Sequence, residues 1–565
     1  MSSRGWLRGL WALVLAGSLA LLWAHAPLRA QEGDPSPATL SGVVQNEDGE
    51  PIAGATVRVQ TRAFATQTDA AGHFTLSGLP PDRPLTLTAW APGYYIGGGG
   101  EEHTYSPNTD GIVLTLEAYP EADNAAYAWV SAYAEAGEKS NCQNCHAATD
   151  PTQTQLPFDQ WQQDAHAQSA HNPRFLTMYT GTDIHGNASP PTRYTYNRDY
   201  GRRPLPPDLG QPYYGPGYKL DFPAAAGNCA ACHVPAAAVN APYGTDPTHV
   251  EGVGAEGVAC DLCHKVQGVY LEPESGLPYP NMPGVLSLEF RRPPEETQFF
   301  AGPLDDVAPG EDTYVSLQTQ SQFCAACHYG IFWDTLVYNS FGEWLASPYS
   351  DPESGQTCQD CHMPTFGATH FVRPDRGGLE RDPATIVSHK MLGAQDVDLL
   401  QATADLSLEA AREDDALRVH VQVTNSGAGH HIPTDSPLRQ IFLIVTATNA
   451  NGQPLTLAEG PTLPDWAGGL EGVPGVYFAK ILEEVWTEVS PSGAYWNPTR
   501  VLEDTRLAAL ETRSAEFTFA LTESAAAPVR VEARLIYRRA FYDLMQQKGW
   551  DVPDIPMEQA QVSVP

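Results

Sequence analysis

Cys142-Gln-Asn-Cys145-His146 opens a pattern that recurs at Cys229-Ala-Ala-Cys232-His233, Cys260-Asp-Leu-Cys263-His264, Cys324-Ala-Ala-Cys327-His328 and Cys358-Gln-Asp-Cys361-His362. These five motifs take up all 10 cysteines of the 565-residue chain. Two cysteines three apart face one side of a helical turn, and the histidine that follows comes next on the same turn. Zinc needs no histidine after every pair, exported CxxC disulfides leave the histidine idle, and iron–sulfur ligation does not suit isolated pairs.

The spacing fits one chemistry in all five places. Each cysteine pair can form thioethers to the two vinyl groups of one haem, and the following imidazole becomes the proximal iron ligand. The expected cofactor is therefore five haem c, held by Cys142, Cys145, Cys229, Cys232, Cys260, Cys263, Cys324, Cys327, Cys358 and Cys361. His146, His233, His264, His328 and His362 are the proximal ligands. With about fifty residues per haem, the cofactors are expected to form much of the interior.

Low-spin electron-transfer haems need a sixth ligand, usually His or Met. The chain has 17 His, and eleven remain once the five proximal ones and His25 are set aside. Context ranks them. His430 lies in Gly427-Ala-Gly-His430-His431-Ile-Pro-Thr434, a Gly-rich turn that brings backbone close, with His431 as its rival. His389 precedes Lys-Met-Leu-Gly393, His370 follows the fifth motif, and His166 closes Trp161-Gln-Gln-Asp-Ala-His166. His249, shortly before the third motif, completes the set of distal candidates. His171 and His185 rank lower, His73, His103 and His420 read as structural, and Met363 and Met391 are discounted.

Around this array the chain is multidomain: a β-sandwich, a central mainly α or irregular pentahaem domain and a second β-sandwich. Residues 1–30 read as an export signal, with Arg4 and Arg8 before an apolar run from Leu10 to Trp23 and small residues after it. An uncleaved anchor is the alternative; cleavage leaves no stable membrane span. Exported placement, in the periplasm or at the cell surface, follows. Loss of Arg4, Arg8 and Arg29 takes the net charge from −35 to −38, which argues against a nucleic-acid partner. Residues 37–118 alternate as short strands, 121–400 hold the motifs among Pro-rich loops such as Arg203-Pro-Leu-Pro-Pro207, and 403–565 return to strands. The strands there are read at Leu406–Ala411, Leu417–Asn425, Gln440–Ala447, Ala515–Leu521 and Val529–Tyr537, with Ig-like topology.

The run from Gly42 to Val57, with Asp69-Ala-Ala-Gly-His-Phe74 and Gly93-Tyr94, resembles carboxypeptidase regulatory-like domains. That likeness implies a transthyretin-like β-sandwich with a role in adhesion or spacing. Trp161 to His166, Gly257-Val-Ala-Cys-Asp-Leu-Cys-His264 and Cys358-Gln-Asp-Cys-His-Met-Pro364 resemble the multihaem cytochromes around cytochrome c554 and hydroxylamine oxidoreductase, over roughly residues 120–440. The resemblance implies that His166, His370, His389 and His430 are distal ligands. The group holds both carriers and enzymes. The expected function is electron transfer along bis-His haems to redox partner proteins. The alternatives are an enzyme acting on a small nitrogen or sulfur species, and self-assembly into a filament. No motif ends in Lys, the form found in nitrite-reducing relatives, and no catalytic residue is assigned.

Overall fold

The structure is a computed structural model that describes residues 36–134, 141–294, 298–521 and 528–565, so the leader over 1–30 lies outside the described residues.

Alternation builds the N-terminal unit. In His73–Leu79, Phe74, Leu76 and Leu79 are buried while His73 and Thr75 face water. Ala38–Asn46 lies between His73–Leu79, which is antiparallel to it, and Ile112–Leu116, which is parallel. A second sheet runs Ala65–Gln67, Thr56–Val59, Leu85–Trp90, Gly97–Gly98. Leu40, Val57, Phe74, Leu87 and Leu114 fill the core the two sheets share.

This unit docks on the segment around residues 300–315. Arg58 Nε donates to Asp305 Oδ1 at 2.7 Å, Thr61 N to Asp306 Oδ2 at 2.7 Å, and Trp90 Nε1 to Thr313 Oγ1 at 2.9 Å. Asp306, itself buried, also pairs with buried Arg381 at 2.9 Å. A buried charge is tolerated only when paired in this way.

The central region, expected to be mainly α or irregular, is the irregular kind rather than a mainly helical domain. Its helices are a turn or two long, and the longest described, Pro173–Thr180, has 8 residues. Two-stranded ribbons such as Tyr194–Asn197 with Gly201–Pro204 and Val266–Val269 with Leu288–Phe290 lie among turns and Pro-rich loops. Helices this short do not stand alone in water and depend on what they pack against.

The C-terminal region is two facing sheets. One runs Asp405–Glu413, Ala416–Thr424, Thr512–Ala520, Leu457–Glu459; the other Thr499–Asp504, Gly475–Glu484, Gln440–Thr448, Val529–Arg538, Ile555–Val564. Val419, Val421, Phe517 and Phe519 from the first meet Leu443, Val445, Val531 and Leu535 from the second in one core. The five strands read from sequence lie within these sheets, and four further strands had escaped notice. A second apolar cluster joins Met178 and Tyr179 of the central region to Ile481, Phe541 and Leu544, tying the two regions together.

Candidate functional site

All five motifs face one cavity of about 2310 Å³, lined by all ten cysteines and by His146, His233, His264, His328 and His362. Single small-molecule pockets run to about 300–1,000 Å³, so this volume suits several ligand-sized groups. Each motif sits on a turn of helix: Cys142–His146, Ala230–His233, Cys260–Cys263, Gln322–Ala325 and Cys358–His362. The last is fixed by a capping box, Thr357 with Asp360. None of the ten cysteines is in a disulfide. Among the described residues no cluster of three or more His, Cys, Asp or Glu side chains is arranged to hold a bare metal ion.

The motifs meet in an order the chain does not follow. Thiol contact lowers Cys142 and raises Cys260, lowers Cys327 and raises Cys232, and lowers Cys358 and raises Cys324. The first motif therefore touches the third, and the fourth touches both the second and the fifth.

Three of the motif imidazoles are held by backbone carbonyls. His146 Nδ1 donates to Phe371 O at 2.8 Å, His264 Nδ1 to Ala301 O at 2.7 Å, and His362 Nδ1 to Leu392 O at 2.5 Å. A carbonyl only accepts, so Nδ1 carries the proton and Nε2 keeps its lone pair. His328 Nδ1 instead faces Asp435 Oδ2 at 3.3 Å. Burial pushes His233, His362 and His389 down to about 4, which keeps each neutral and able to ligate at pH 7.

Two further histidines stand across the cavity from motif histidines. The rings of His166 and His328 have centres 6.3 Å apart, and those of His362 and His430 6.2 Å apart. Two metal–imidazole bonds of about 2.0–2.1 Å, with each nitrogen about 1.1 Å from its ring centre, give about 6.3 Å between rings on opposite sides of one metal. The spacing would suit two imidazoles that share one metal.

The chain positions both partners by buried polar groups. Asp164 Oδ1 accepts from His166 N at 2.8 Å and from His166 Nδ1 at 2.7 Å. Gly257 has φ +72° and a Cβ there would stand 2.4 Å from His166 O, so only glycine lets the third motif's approach pass this loop. Fully buried Asn425 donates to the carbonyls of His430 and Leu507, at 2.8 and 3.2 Å, holding the turn that carries His430 out of the C-terminal sheets.

The other histidines read from sequence are placed differently. His389 lines the cavity, held by N–H donation to Gln160 Oε1 at 2.8 Å, and senses His264 and His146. His431 lies on the wall against Glu343, 3.5 Å from its carboxylate. His370 is not among the lining residues, and its Nδ1 meets Thr369 Oγ1 at 2.9 Å. His249 is outside too, with an 84% exposed side chain 3.9 Å from Asp246. Trp161 lines the cavity and donates to Val258 O at 2.9 Å.

Sequence reasoning missed Asp164, Asp435 and Phe175. The Phe175 ring lies flat on His233, with centres 3.7 Å apart and planes at 3°. Asp164, two residues before His166, was the only one with a local signal: an Asx turn.

Comparison with known proteins gives a carboxypeptidase regulatory-like domain over residues 39–98. No curated protein matches the chain. Among solved structures, the chain is similar to a penta-heme cytochrome c552 from Thermochromatium tepidum: 19% identity over 75% of this chain and 97% of that one, TM-score 0.49. AvmM, which catalyzes macrocyclization in alchivemycin A biosynthesis, matches at 12% identity over 29% of this chain and 88% of that one, TM-score 0.15. A PapD-like domain of human CEP192 matches at 6% identity over 31% and 91%, TM-score 0.13.

Proposed function

We propose that the chain is an exported pentahaem c-type cytochrome that passes electrons along haems packed in one cavity. The observation that carries this is the pairing of His166 with His328 and His430 with His362 at axial separation. The donor set fits the group: paired thiols for thioethers, an imidazole after each pair, held neutral by burial in four of the five and charged by Asp435 at His328, and further imidazoles from elsewhere in the chain. Haem supplies reversible one-electron chemistry.

The chain's own part is positional. Asp164 and Asn425 aim two distal imidazoles, and backbone carbonyls fix the tautomer of three proximal ones. The touching motifs support a path from the first through the third and fourth to the fifth, with the second branching at the fourth. The link from third to fourth rests on the field of Cys327 at Cys263. His389 is assigned to the haem of the first or third motif. The periplasm or cell surface is the proposed location. A redox protein is the proposed partner, with filament formation as the other use of such an array.

A second reading, as an enzyme, takes one of the two motifs left without an assigned histidine partner, the second, as its place. The His233 ring is covered by Phe175, and no histidine ring is paired with it among the described residues. Low-temperature EPR of the oxidised protein separates the readings. Low-spin signals from all five irons are expected of a carrier, whereas a stoichiometric high-spin signal would turn the argument to the second motif and a small-molecule substrate.

A further inference from the structure

Strand Val529–Arg538 runs antiparallel to Gln440–Thr448, with Gln440 facing Arg538 and Ile441 facing Tyr537. One step beyond that ladder, Arg439 and Arg539 are the next facing positions, on the side that carries Ile441 and Tyr537. Arg174, from helix Pro173–Thr180 of the central region, joins them, and all three guanidiniums and Tyr537 line the cavity. Like charges directly opposed on neighbouring strands repel, and here a third is added.

Among the described residues the three are not matched by an equal number of carboxylates. None of the three is in an ion pair among the described residues. Arg439 Nη1 donates to Thr434 O at 3.0 Å. Asp435 is the carboxylate whose charge reaches Arg439, but it faces His328 at 3.3 Å and offers one charge for three. Burial first, then Arg539 and Arg439, hold Arg174 below its ordinary value. The Tyr537 hydroxyl, on a side chain only 3% exposed, and Arg539 Nε are buried without a hydrogen-bond partner. Buried donors in native proteins have partners.

We infer that Arg174, Arg439, Arg539 and the Tyr537 hydroxyl form an anion site on the cavity wall that takes a carboxylate or small oxyanion. Guanidinium forks match the two oxygens of such groups. Its place is beside the second motif: Tyr338 and Tyr495 sense Cys229, and Tyr338 also senses Arg439. Two sources share this chemistry. One is a propionate of the haem on the second motif, which rests on the proposed function; the other is a free oxyanion drawn into the cavity.

The test uses the holoprotein, with haem counted first by pyridine haemochrome, and the variants Arg539→Gln, Arg174→Gln and the milder Tyr537→Phe. Isothermal titration with inorganic sulfate and a spectroelectrochemical titration are run on each. A propionate gives no sulfate binding by the parent and a lowered potential for one haem in both arginine variants. A free oxyanion gives one sulfate per parent chain and at least tenfold weaker binding in Arg539→Gln, with a smaller loss in Tyr537→Phe. Five-haem variants that match the parent in every potential and in sulfate binding overturn the site. A parent with fewer than five haems sinks the proposed function instead, and sulfate binding still decides the anion site.

Discussion

In the C-terminal region Leu417, Val421, Phe517, Phe519 and Leu535 are each 1% exposed or less and pack against one another across two sheets. In the central region the side chains at the middle are ten cysteines and a ring of histidines, partly exposed around a cavity of about 2310 Å³. One region carries its own core. The other is arranged around a cavity, and its one-turn helices pack on small separate apolar clusters, such as Ala230, Ala231, Leu262 and Phe290 or Phe158 and Trp161, rather than on one core. The two meet at the His430 turn, where a self-sufficient sheet pair lends a side chain to the dependent region.

The sharpest way to break this contrast is to withhold haem attachment by expression without a haem-ligation system. Limited proteolysis should then cut between residues 121 and 400 and leave the N-terminal sheets and the C-terminal sheets protected. Equal protection of all three regions would remove the distinction. In the converse experiment, Phe519→Ala should cost the C-terminal region about 3–5 kcal/mol in denaturant unfolding, with the haem count unchanged.

Ligand variants sharpen it further. His430→Ala should convert one of five low-spin EPR signals to high-spin, while His249→Ala, on an exposed ring outside the cavity, should leave the spectrum as it was. Equal effects would discard the pairing of His430 with His362. The smallest expected effect comes from Asp312, where burial, then Glu311, push the carboxyl up to about 7. The folded state then binds more protons than the unfolded one between its ordinary value of 3.8 and about 7, so stability falls as pH rises through that window. Asp312→Asn should flatten the fall. A slope unchanged in the variant would place the titration elsewhere.

What could be read in advance follows the same division. The motifs were legible because each is five consecutive residues with one fixed spacing, and the N-terminal strands because one face of each is buried and the other wet. Which histidines meet the motif histidines was not, since that is settled through space: His166 meets a motif far along the chain, while His249, close to a motif in sequence, faces water. Gly475–Glu484 was missed because both its faces are covered, which erases the alternation. Thr499–Asp504 was missed because it is an edge strand with five exposed residues. The centre, expected to be mainly α or irregular, lies at the irregular end of that expectation because its chain is folded around a cavity rather than around an apolar stripe.

The most direct measurement is the intact mass of the mature protein alongside a pyridine haemochrome assay and a thiol titration. The account requires five covalent haems per chain and no titratable thiol. A chain with its ten thiols free, or with haem on fewer than five motifs, would contradict it.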